Sequence, residues 1–146
     1  MTDIVGLYIL NSKRELIYLQ ENIITKVKEL DPDYLSNFFA TLQTIAQKIG
    51  EEEVKIIDLG NSKFFLTKDK LTNFEFILKC ERNIKQKKVF EIHKRIVNLF
   101  IEKFTGNFNA TEETKKILMN SFLKDLTEIM GKGEKIEFYL DLIKID

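Results

Sequence analysis

One cysteine, Cys80, is all the chain has, so it cannot form an intramolecular disulfide or a multi-cysteine zinc site. That usage fits a reducing compartment, and a cytoplasmic location is the expectation. Histidine is just as scarce. With His93 alone, a metal site would have to be built from carboxylates. Only Arg14, Arg82 and Arg95 among the 23 basic residues carry the planar fork suited to bidentate phosphate or base contacts. The 23 acidic residues cancel the basic ones, leaving no long-range field to steer nucleic acid or an acidic substrate. A nucleic-acid partner is therefore disfavoured. No apolar run approaches the roughly 18 residues of a membrane-spanning helix. The opening MTDIVGLYIL lacks the basic stretch of a secretory signal. A soluble chain without a transmembrane segment is expected. No repeat, low-complexity tract or linker divides the 146 residues, which suffice for one domain (1–146) burying about two thirds of its unfolded surface.

Groups that could do chemistry are thin on the ground. His93 stands in an expected helix beside Lys94 and Arg95, where a surface or packing role outweighs that of a catalytic base. Cys80 falls on the apolar side of an expected strand and reads as core rather than nucleophile. EEE at 51–53 reads as a solvated turn ahead of an apolar strand rather than a cation site. LGNSKF joins strand to strand and lacks the spacing of a phosphate-binding loop. KQKKVFEIHKR (85–95) has charges that suit an anionic headgroup, but Glu91 and the interleaved apolar positions favour a solvated helix start. No catalytic, cofactor-binding or metal-binding residue is expected, and no enzymatic activity.

Hydrophobic pattern carries the rest. Ile4 to Leu10 is apolar on both sides, with Val5, Leu7 and Ile9 against Ile4, Tyr8 and Leu10, as in a covered central strand. Gly6 allows a close approach there. NSKRE turns the chain into a second strand, Leu16 to Gln20; residues 21–30 read as strand extension or connection. DPDYLSNFFATLQTIAQKIG (31–50) is a helix, with Asp31 as cap, Pro32 in the first turn and Leu35, Phe38, Phe39, Leu42, Ile45, Ala46 and Ile49 inward. Strands at Val54–Leu59, Lys63–Thr67 and Phe74–Glu81 follow as an antiparallel meander. A helix over 84–105 buries Val89, Ile92, Ile96, Val97, Phe100, Ile101 and Phe104. Another, opened by Asn109 with Glu112, runs to Met130 with Ile117, Leu118, Phe122, Leu126 and Ile129 inward. The tail EKIEFYLDLIKID fits a strand about as well as a helix, and helix is the expectation. The result is an α+β fold in three layers, a five-stranded antiparallel sheet with helices on both faces.

The strings IVGLYILNSKRELIYLQ, DPDYLSNFFATLQTIAQKIG, VKIIDLGNSKFFL and FILKCE, in this order, resemble longin-like domains, archaeal ones especially, within the wider longin and roadblock group. The likeness spans about 4–130, leaving 134–146 as a C-terminal extension. A first strand starting at Ile4 favours longin over roadblock, which carries a helix before it. The resemblance implies a longin/profilin-like layering, with the 31–50 helix on one face and the later two on the other. It implies no cofactor and a non-catalytic protein-interaction role, in vesicle trafficking, adaptor complexes or platforms that regulate Ras-like small GTPases. Unlike in SNARE longins, no coiled-coil SNARE motif or membrane anchor is expected to follow. A stand-alone platform or complex subunit is the expectation.

From Tyr34 to Gln47 no residue is charged, although 32% of the chain is. Such an outward face either lies under the chain's own tail or residues 21–30, or packs on a partner, with Ala40, Thr41 and Thr44 permitting close approach. The resemblance places a dimer surface on Tyr34–Gln47 and Val54–Leu59. The candidate interface is therefore Tyr34, Asn37, Ala40, Thr41, Thr44, Lys55 and Ile57, serving a homodimer or heterodimer or a Ras-like small GTPase. Two other readings stand beside it. One is a small-ligand sensor with an internal pocket. The other is an adaptor making peripheral contact with anionic membranes through Lys85, Lys87, Lys88, Lys94 and Arg95.

Overall fold

The computed structural model describes residues 4–22, 32–48, 50, 55–60 and 62–145. The expectations for Asp31, the 23–30 connection, the acidic run 51–53 and Val54 lie outside the described residues, as do those for the side chains of Tyr34, Leu35 and Ala46 and for Ile49. In chain order the elements are β1 (Ile4–Leu10), β2 (Leu16–Glu21), α1 (Pro32–Lys48), β3 (Ile56–Asp58), β4 (Ser62–Lys68), β5 (Glu75–Glu81), α2 (Gln86–Phe104), α3 (Glu112–Met130) and β6 (Lys135–Phe138), then a 3₁₀ turn at Leu140–Leu142. The fold is α+β, with one antiparallel sheet in the order β3-β4-β5-β1-β2-β6.

β1 lies inside the sheet, between β5 and β2, and its two-sided apolar pattern follows from that position. Leu7 and Ile9 enter one core; Tyr8 and Leu10 enter the other. Ile4 does not alternate as expected. A register shift against β5 between Ile4 and Gly6 turns it to the side of Leu7 and Ile9. Gly6 is needed where β2 crosses close by, because a Cβ there would sit 2.9 Å from the Gln20 carbonyl oxygen.

The larger core lies between the sheet and the α2–α3 pair and is built on phenylalanine. Phe74, just before β5, and Phe76 of β5 meet Phe100, whose ring stacks on Phe104 at 4.7 Å and meets Phe122 of α3 edge-on at 5.3 Å. Cys80 is fully buried in this core. Outside it, Lys103 of α2 bonds Ser121 Oγ (2.7 Å) and Asp125 (2.9 Å) of α3. The smaller core, on the opposite face, packs Phe39 of α1 against Tyr8, Leu10, Leu16, Leu19, Phe64, Leu66 and Ile77.

Several expectations are corrected. The sheet has six strands rather than five, because the tail forms β6, not a helix. Its register, from Tyr18↔Phe138 to Glu21↔Lys135, occupies the otherwise open edge of β2 and puts Phe138 on the larger core. Backbone pairing decides between two equally good apolar patterns. Polar pins secure the tail: Asn22 Nδ2 donates to the Met130 carbonyl (2.8 Å), Gln20 Nε2 to that of Gly131 (3.2 Å) and Asn11 Nδ2 to that of Leu142 (2.9 Å). Gly133 passes so near β2 that a Cβ would fall 2.6 Å from Gln20 Cγ. Thr111, not Asn109, caps α3, its hydroxyl accepting from Thr114 N–H at 3.2 Å. On α3, Met119 and Met130 are buried with Phe122 and Leu126, while Ile117, expected inward, is 66% exposed.

Candidate functional site

α1 sits rotated from its expected setting. A helix with this much apolar surface has no single best face, so other contacts choose. The Ser36 hydroxyl accepts the Leu16 backbone N–H at 3.0 Å, and Phe39 enters the core with its ring about the same distance from Tyr8 (6.2 Å) and Phe64 (5.8 Å). Ser36, Phe39, Ala40 and Gln43 thus share the inward side by the i, i+3, i+4, i+7 rule, and Gln43 is buried against expectation. Phe38 and Ile45, expected inward, are 42% and 50% exposed.

Of the residues the sequence singled out, Asn37, Thr41 and Thr44 are exposed on α1, and the Thr44 hydroxyl donates to the Ala40 carbonyl (3.0 Å). Ala40 is half-buried. Tyr34 lies within α1, with its side chain outside the described residues. Lys55 is exposed just before β3, its carbonyl accepting Leu66 N–H at 2.8 Å. Ile57 faces the smaller core and is partly buried there. The outward face of α1 therefore reads Phe38, Thr41 and Ile45, three and four residues apart, with Asn37 and Thr44 beside them. Its two large apolar members were missed because all apolar residues were assigned inward. The signal was a stripe too broad for one sheet face to cover.

β3 is three residues long and, among the described residues, stands at the sheet edge and pairs only with β4. At its end Asp58 accepts Gly60 N–H (3.0 Å) and the Arg82 guanidinium (2.8 Å). These hold its carboxyl below the usual carboxylate range, the backbone donor first and the Arg82 charge after it.

On the α2 side, a cleft of about 660 Å³ runs between α2 and the β3–β4 edge. Ile56, Phe65, Val89, Phe90 and Val97 give it apolar walls; Lys55, Lys68, Lys70 and Lys94 rim it, and among the described residues no carboxylate lines it. His93 contributes from the floor. Its Nε2 lies 3.0 Å from the Phe76 carbonyl, which can only accept, so the folded state holds the Nε2–H tautomer. Burial pushes its pKa down to about 4, against the smaller upward pull of that hydrogen bond. His93 is therefore a neutral packing residue of this wall.

A pH dependence follows. In the unfolded chain His93 should titrate near 6.5, whereas the fold refuses the proton until about 4. Its contribution is whole above pH 6.5 and drains as pH falls toward 4, by about 2 kcal/mol at pH 5. Thermal melts at pH 7 and pH 5 should show the loss in the native chain and a smaller one in His93→Leu. Equal slopes would refute the burial account.

Among the described residues no group of three or more His, Cys, Asp and Glu side chains is placed to hold a metal ion. None of their helices is long and apolar enough to cross a membrane. No protein-family model matches the chain, and no curated protein matches it significantly.

Proposed function

We propose that the chain is a non-catalytic protein-interaction module of the longin type, a cytoplasmic platform or complex subunit serving vesicle trafficking or small-GTPase regulation. The observation that carries this reading is the outward face of α1, where Phe38 and Ile45 stand in solvent on a helix with no charged residue from 34 to 47. Two large apolar groups bracketing Thr41, in the midst of uncharged neighbours, suit a helix that packs on protein rather than on water. The strand order around β1, with α1 on one face and α2–α3 on the other, supports the longin-type layering. The partner is a second copy of this chain or a longin-type relative, with the β3 edge next to Lys55 and Ile57 available to extend the contact. A Ras-like GTPase joins the assembled pair.

Symmetric pairing is the commonest way to cover such a face. Light scattering over a concentration series should give a particle of twice the 17.2 kDa chain mass at the upper end. A particle of single-chain mass throughout would remove the homodimer.

A further inference from the structure

Leu71 and Phe90 are the two most exposed large apolar side chains among the described residues, at 87% and 70%. Neither is accounted for by the proposed pairing, since α1 packs on the opposite face of the sheet. They come from distant parts of the chain, Leu71 from the β4–β5 turn and Phe90 from the first half of α2. The cleft brings these parts together, because Lys68 and Lys70 of the β4–β5 region line it along with Phe90 and Lys94. Lys87 and Lys94 stand one helical turn to either side of Phe90, both exposed.

The charge is one-sided. Residues 85–95 hold five basic groups and one acid, Glu91, in a chain of zero formal charge. In the turn, the Asp69 carboxylate is directed onto Thr72, accepting its N–H at 2.9 Å and its hydroxyl at 2.7 Å, while Lys68 and Lys70 on either side of it are exposed and outnumber it. Exposed apolar tips ringed by lysines match one environment, the interface of a bilayer with anionic headgroups. There the tips reach the acyl boundary while ammonium groups stay among phosphates and carboxylates. A soluble acidic protein would satisfy the lysines but would leave Leu71, at the tip of its turn, in water.

We propose that the end of the molecule formed by the β4–β5 turn and the first half of α2 docks on an anionic membrane surface, with Leu71 and Phe90 inserted and Lys68, Lys70, Lys87 and Lys94 on the headgroups. The contact is peripheral and reversible, and it leaves the α1 face open to a protein partner.

The test is flotation of the full chain with phosphatidylcholine vesicles, with and without phosphatidylserine, at low and high salt. Binding is expected only with phosphatidylserine, and it should weaken as salt rises. Lys70→Gln with Lys94→Gln should reduce partitioning about thirtyfold, two lysines at about 1 kcal/mol each. Phe90→Ser should lower it even at low salt, with melting curves showing that both variants stay folded. Equal binding to neutral vesicles, no binding to anionic ones, or variants that float like the native chain would each overturn the proposal. So would binding of a Glu-Leu repeat peptide without vesicle binding, which would assign the cleft to an acidic protein partner.

Discussion

Phe100→Ala should lower the unfolding free energy by about 3–5 kcal/mol, a large part of the 5–15 kcal/mol typical of a domain. The ring is fully buried and lies within 6.4 Å, centroid to centroid, of five other phenylalanines: Phe74, Phe76, Phe104, Phe108 and Phe122. Those neighbours belong to the end of the β4–β5 turn, β5, α2, α3 and the α2–α3 connection, so the cavity would open where sheet and helices meet. Rigid aromatic walls cannot collapse far to refill it, which places the cost in the upper range. For a chain of this size the melting temperature should fall by on the order of 10 °C. Phe90→Ala is the matched control. With that side chain 70% exposed, its change should stay within about 0.5 kcal/mol. A Phe100→Ala loss below about 1 kcal/mol would mean that α2 does not close this core.

Thr41→Arg should weaken self-association at least a hundredfold without unfolding the chain. Thr41 is exposed midway between Phe38 and Ile45, so an arginine there would bring an unpaired charge into the middle of the proposed contact. Desolvating that charge without a partner costs about 3 kcal/mol or more. The helix itself loses nothing, since arginine is a better helix former than threonine and the position faces away from the core. Light scattering and thermal melts on both proteins separate the outcomes. A variant that pairs as well as the native chain would move the interface elsewhere. One that unfolds would show that the chain itself covers this face.

The strands were legible because their alternation is strong and their turns are short. Phe74, Phe76, Leu78 and Cys80 share the larger core as their spacing requires, and Leu7 and Ile9 oppose Tyr8 and Leu10. The helices were legible as helices but not in rotation. α1 is apolar over so much of its circumference that its setting follows from particular contacts, the Leu16 N–H to Ser36 Oγ hydrogen bond and the packing of Phe39 on Tyr8 and Phe64, rather than from the stripe. In α2 and α3 the buried rows include His93 and Lys115, residue types that hydropathy assigns to water. His93 is accommodated by a carbonyl one strand away in space, a partner no local pattern announces. The tail was ambiguous for the same reason, since its fate rests on the unpaired edge of β2, more than a hundred residues earlier. Of the candidate site, the uncharged span of α1 could be read directly. Its apolar centre could not, because that needs the rotation.

The pinned tail also sets the order in which this protein can be made. Ile143 is fully buried in the larger core, and Phe138, Leu140 and Leu142 pack against it. During synthesis the β1–β2 hairpin leaves the ribosome ahead of the other described elements, and β2 then waits with one edge unpaired while more than a hundred residues are added. The phenylalanine layer of α2 emerges before α3 and the tail are there to complete its cover. That side of the molecule cannot close until residue 143 has cleared the exit tunnel, so the last step of folding follows the end of this segment's translation. At elongation rates of about 5–20 residues per second, the β2 edge is exposed for several seconds or longer. In that interval it is open to any passing strand.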